Sequence, residues 1–166
     1  SFQRGSEIVI SFAGTAQGVD WLANSGLATG FGSEQLRDAA AYYLEIRKTN
    51  PGAVISFTGH SLGGGLASLM GVFFNRMAVT FDQAPFYQSA NLGTRDALIG
   101  YLKTTLNYTD AQLAQWVPEL GNFTDLASRQ SNVVSTNVAG EALSLKAVEL
   151  FGLGLVDRIG NQVPLW

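Results

Sequence analysis

Thr58-Gly59-His60-Ser61-Leu62-Gly63-Gly64-Gly65 is the stretch that decides how this 166-residue chain folds. The run Ala53-Val54-Ile55-Ser56-Phe57-Thr58 leads into it and reads as a strand. The small-residue run Leu66-Ala67-Ser68-Leu69-Met70-Gly71 leads out and reads as a close-packing helix. Between them lies Gly-x-Ser-x-Gly, the pattern of a sharp strand-to-helix turn that lifts a serine hydroxyl above the end of a sheet. Its glycines are expected where strand and helix approach too closely for a Cβ. A phosphate-binding loop would need Gly-x-x-x-x-Gly-Lys-Ser/Thr, yet no lysine lies between Lys48 and Lys103.

Outward from this turn, strand and helix alternate. Glu7 to Ala13 is a β-branched and aromatic run that predicts a buried strand ending at Gly14-Thr15. Ala16 to Gly32 predicts loop. Ser33 predicts a helix N-cap, with Leu36, Ala39, Ala40, Tyr43 and Leu44 at helical spacing and a stop at Asn50-Pro51-Gly52. Met77 to Phe81 predicts a third strand, closed by Asp82-Gln83-Ala84-Pro85. This alternation predicts right-handed crossovers and an α/β fold with a mostly parallel sheet flanked by helices.

Residues 86–130 interrupt the alternation. Leu98, Leu102 and Leu106 form one apolar stripe, and Leu113, Trp116, Val117 and Leu120 form a second, entered through a Thr109/Gln112 capping box. They predict a helical insert that either covers the sheet or serves as a lid and acyl-binding wall. Ser131 to Val138 predicts the fourth strand, followed by Ala139-Gly140-Glu141, a helix over Leu143–Phe151 and a glycine-rich tail.

Bulk properties narrow the function. The chain is 46% hydrophobic and 14% charged, with a net charge of −3, so it lacks the basic stripe of a nucleic-acid binder. It has no cysteine and one histidine, which excludes a thiol nucleophile and leaves no set of soft ligands for a metal. No cofactor is expected. No apolar run reaches the roughly 18 residues of a membrane span. The strand-like start and the apolar Val163-Pro164-Leu165-Trp166 look like cut ends, so the chain is expected to be a single domain lacking its C-terminal part, with further parts of the same polypeptide as partners.

A serine hydroxyl is a weak nucleophile that needs a base, and the oxyanion it generates needs aligned N–H donors. The turn supplies one donor, the N–H of Leu62. The other is expected from the turn after an earlier strand, where Gly14-Thr15 stands and Thr15 can add a hydroxyl.

At these residues the chain resembles the class 3 lipase family, the fungal-lipase type of α/β-hydrolase. The resemblance rests on Ile10-Ser11-Phe12-Ala13-Gly14-Thr15, on Asp20-Trp21, on Thr58 to Ala67 and on Val79-Thr80-Phe81 followed by Pro85. Phe81 to Pro85 and Gly140-Glu141 are nearest to its bacterial branches. The resemblance implies an α/β-hydrolase fold, hydrolysis of carboxylic esters of lipid-like substrates, Ser61 as nucleophile, and Thr15 and Leu62 as the oxyanion hole. Ala13 departs from the arginine more usual in the fungal enzymes. A secreted bacterial protein is the compartment this reading suggests.

The base is missing from the pattern. His60 precedes Ser61 by one residue and is expected to point away from it, in a structural or orienting role. The family's order is serine, acid, histidine, and no histidine follows residue 60. Either it lies beyond Trp166, which the apolar end favours, or the chain is a degenerate hydrolase that binds lipid or a partner without turnover. Three carboxylates compete as the acid: Glu141 after the fourth strand is preferred, Asp157 in the glycine-rich tail is the alternative, and Asp82 is third.

Overall fold

The computed structural model describes residues 1–14, 31–138 and 158–165. Six strands form one sheet in the order in which they occur along the chain. β1 (Phe2–Arg4) is antiparallel to β2 (Glu7–Phe12). β3 (Val54–His60), β4 (Ala78–Phe81), β5 (Val133–Val138) and β6 (Asn161–Leu165) then add in parallel, each beside the one before. This is a mostly parallel sheet flanked by helices, of the α/β-hydrolase type.

Every parallel step moves the same way across the sheet, so right-handed crossovers place the connections on one face. α1 (Phe31–Thr49) joins β2 to β3 and α2 (Leu62–Phe73) joins β3 to β4. α3 (Leu92–Thr104), α4 (Asp110–Trp116) and α5 (Pro118–Gly121) lie between β4 and β5. α1 packs against α2, α3 and α4, as one shared layer requires. Ile8, Ile10, Ile55, Phe57, Ala78 and Val133 point into that layer and are buried. The alternate residues Val54, Val79 and Phe81 face the other way and are exposed.

α2 sits at the centre. Every residue from Leu62 to Phe73 is buried, so its apolar and small side chains run all round rather than along a stripe. Its last turn is closed from outside. Arg129 donates from one guanidinium nitrogen to Val72 O (3.0 Å) and Phe73 O (2.9 Å), two carbonyls that a helix C-terminus leaves without partners. The same guanidinium lies over the Phe123 ring. Burial pulls its pKa below the usual arginine range, with Glu119 and Asp125 opposing. Nearby, Glu119 of α5 accepts from Arg47 of α1 and from Arg76, and both arginines also donate to the buried Tyr43 hydroxyl. This network ties the insert to α1 and to the chain that leaves α2.

Several boundaries differ from the sequence expectation. α1 starts at Phe31, so Ser33 lies inside the helix and does not cap it. The Thr109/Gln112 capping box is present, but Pro118 divides the second stripe between α4 and α5. Leu106 lies past the end of α3 and is exposed, whereas Leu98, Leu102, Leu113, Val117 and Leu120 are in the core. β1 was not expected. It pairs through the Gly5-Ser6 turn, with Gly5 at φ 60, as a hairpin turn with glycine at its first central position demands. β6 was not expected either, because Pro164 weakens the run; it lies at the edge of the described sheet, where proline is tolerated. The helix expected over 143–151 lies outside the described residues. No described helix is long and apolar enough to cross a membrane.

Candidate active site

β3 delivers the chain to the carboxyl edge of the sheet. Ser61 follows at φ 55, ψ −124, and α2 begins at the next residue. Few non-glycine residues adopt such a backbone, which costs about 1–3 kcal/mol and persists only where the surroundings enforce it. Here they do. Ser61 N–H donates to Phe81 O (3.1 Å), and Ser61 O accepts from both Gly65 N–H (3.0 Å) and Ala84 N–H (2.9 Å). The hydroxyl does not cap the helix it precedes. The backbone is thus held at both ends, and no described residue hydrogen-bonds to the Oγ.

The two glycines of the pattern are demanded by close approach. A Cβ on Gly59 would stand 2.3 Å from Gly63 O, and a Cβ on Gly63 would stand 2.2 Å from Phe12 O. The first contact lets α2 fold back on β3. The second lets its first turn press against the end of β2. The chain leaving β2 therefore lies beside the serine: a Cβ on Gly14 would come within 2.9 Å of His60 O and 3.6 Å of Ser61 Cβ.

Leu62 is the first residue of α2. Its side chain is in the core, and its amide is one of the N-terminal donors that a helix leaves unpaired. The helix dipole adds partial positive charge at the same end. Thr15 follows Gly14 directly in the chain but lies outside the described residues. Glu141 and Asp157 also lie outside them. What is described are the segments that lead to each: β5 ends at Val138, three residues before Glu141, and Arg158 follows Asp157.

His60 occupies the exposed face of β3, with its side chain 69% exposed. Its Nε2 is 3.8 Å from Asp82 Oδ2. Asp82 follows β4 at φ 43, and its Oδ1 accepts from Val138 N–H at 2.8 Å. Sequence reasoning missed Gln83. This residue is fully buried, accepts from Ser68 of α2 through Oε1, and donates through Nε2 to Ile159 O at 2.6 Å. A lone glutamine in a turn carries no signal of that role; only the folded arrangement shows it.

A parallel sheet, a strained serine at the end of its third strand and a buried helix starting immediately after it define an α/β-hydrolase-type domain. Residues 2–97, more than half of the chain, match the Tle-like phospholipase domain of the phospholipase-like group, and the chain belongs to that family. It is similar to the extracellular phospholipase A1 of Serratia liquefaciens, with 37% identity over 83 residues. That alignment covers 50% of this chain and 26% of the relative, so the chain spans about a quarter of the relative's length. The kinship is to lipases and phospholipases at large, coarser than the fungal-type class the motifs resemble.

Proposed function

We propose that this chain carries the nucleophile end of a serine hydrolase that cleaves carboxylic esters of acyl lipids, as a lipase or phospholipase. One observation supports this most: the enforced backbone of Ser61, which holds at the carboxyl edge of the sheet, beside the start of a buried helix, a hydroxyl with no partner among the described residues. In this reading Ser61 Oγ attacks the ester carbonyl carbon. Leu62 N–H and Thr15 receive the developing oxyanion, and the adjacent helix N-terminus favours its charge. A histidine takes the serine proton and passes it to the leaving alcohol; water then releases the acyl group by the reverse sequence. Glu141 orients that histidine, with Asp157 as the alternative. His60 is set aside as the base, because it lies on the exposed face of β3 beside Asp82. The base is instead a histidine of the same polypeptide outside these 166 residues.

Within the family, the likeness of residues 10–15 and 58–67 to class 3 lipases and their bacterial branch belongs to this proposal. So does secretion, which the name of the Serratia relative supports. Of the two readings of the insert, covering the sheet is favoured, since Leu98, Leu102, Leu113, Val117 and Leu120 of its stripes are in the core. The test is turnover of a nitrophenyl ester and of phospholipid vesicles by the full-length protein. Ser61→Ala is expected to lower kcat by at least about 10⁴-fold, as loss of a nucleophile does. Retained turnover would refute the assignment, and a folded wild-type protein without turnover would favour a lipid- or partner-binding domain.

A further inference from the structure

We infer that Asp82 and Gln83, with the Ala84 amide, form a positioning strap that holds the Ser61 turn in register with the segments leading to Glu141 and Asp157. The inference rests on the reading of Ser61 proposed above and adds residues that the reading does not use. A turn leaving β4 needs only to clear the sheet. Instead, three successive residues each bind a different part of the site.

Ala84 N–H holds Ser61 O at 2.9 Å. Asp82 reaches the other way. Its N–H donates to Thr136 O (2.9 Å) and its Oδ1 accepts from Val138 N–H (2.8 Å), so it clamps the last turn of pleat before Ala139-Gly140-Glu141. Gln83 lies between them, fully buried, with both ends of its amide paired. It joins Ser68 on α2 to Ile159 O, while its own carbonyl accepts from Arg158 Nε at 2.9 Å. Arg158 and Ile159 are the residues that follow Asp157. The strap thus touches the nucleophile's turn, the end of β5 and the pair Arg158-Ile159 within three positions.

Asp82 acts here as a brace and not as the triad acid. One oxygen is committed to the Val138 amide, and the other faces His60 at 3.8 Å. Catalytic geometry is sensitive to such bracing, because a misplacement of about 1 Å can cost about 100-fold in rate.

The φ of 43 at Asp82 makes the test clean, since glycine and asparagine both suit this backbone. Asp82→Gly removes the brace; Asp82→Asn keeps a carbonyl oxygen for the Val138 amide and loses the charge. With the full-length protein and a soluble nitrophenyl ester, Asp82→Gly is expected to lower kcat about 10- to 100-fold. KM should stay within about twofold, as expected when ground-state binding is untouched. Asp82→Asn should recover kcat to within about threefold of wild type, because the hydrogen bond survives. Wild-type kcat in Asp82→Gly overturns the strap. Equal losses in the two variants also overturn it, since the charge would then make Asp82 the acid itself. Should Asp82→Gly melt below the assay temperature, Gln83→Met decides: reduced kcat at unchanged KM supports the strap, and unchanged kcat overturns it. Ser61→Ala, assayed alongside, separates these outcomes from failure of the hydrolase reading, which would show as turnover that survives loss of the serine.

Discussion

Replacing Gly63 by alanine tests whether the serine is held by backbone packing between β2 and α2. The added Cβ would stand 2.2 Å from Phe12 O, 2.7 Å from the Phe12 carbonyl carbon and 2.8 Å from that of Ala13. These distances fall short of ordinary contact by up to roughly 1.2 Å. All three neighbours are backbone atoms, so no side chain can rotate away, and β2 and α2 must part. Overpacking costs about 1–3 kcal/mol where neighbours can shift, and here, where only backbone atoms face the new Cβ, about 3–5 kcal/mol. Alanine returns up to about 1 kcal/mol through its better helix propensity. A net loss of about 2–4 kcal/mol is expected, a large share of the roughly 5–15 kcal/mol that holds a domain together. Urea denaturation read by linear extrapolation gives the value. Gly100→Ala in α3 is the control: nothing lies within 4 Å of its Cβ, so it should gain about 0.5–1 kcal/mol. A Gly63→Ala protein within about 0.5 kcal/mol of wild type, inside the range of an ordinary surface substitution, would refute the reasoning.

Arg129→Met should cost about 2–4 kcal/mol by the same denaturation assay, because two buried carbonyls of α2 lose a charged donor. Arg129→Lys should recover part of that loss, because its ammonium can still donate to these carbonyls, and an Arg129→Met protein as stable as wild type would contradict the role given to the guanidinium. Asp125 has its pKa lowered by hydrogen bonds from Ser128 N–H first and then from the Thr124 hydroxyl. A depressed folded pKa gives stability that is present above the unfolded carboxylate range and lost as pH falls through the folded value. The stability difference between wild type and Asp125→Ala should therefore shrink as pH falls through and below the ordinary carboxylate range, and a constant difference would contradict the cause given.

How much of this arrangement was legible in the sequence depended on how local its causes are. The Ser61 turn was readable because two glycines and a serine at fixed spacing leave few alternatives once a β-branched run precedes them. The Thr109/Gln112 box was readable because both its hydrogen bonds lie within four residues. Ser33 misled: a serine before helical periodicity is a good cap signal, but α1 begins two residues before it, at Phe31. β1 and β6 were illegible for opposite reasons. Phe2–Arg4 is too short to show a period, and Pro164 argues against a strand unless its edge position is known. Arg129 and Gln83 act across separations of more than fifty residues, so neither has a local signature. Thr15, Glu141 and Asp157 remain expectations of the chemistry, since they lie outside the described residues.

The proposed hydrolysis requires Ser61 to be an activated nucleophile. The most direct measurement is reaction of the folded, full-length protein with a fluorophosphonate probe, followed by mass-spectrometric localisation of the adduct. One adduct per chain is expected, on the peptide that carries Ser61, and it should disappear in Ser61→Ala. A folded protein that takes up no probe, or a Ser61→Ala protein labelled as fully as wild type, would contradict the proposal.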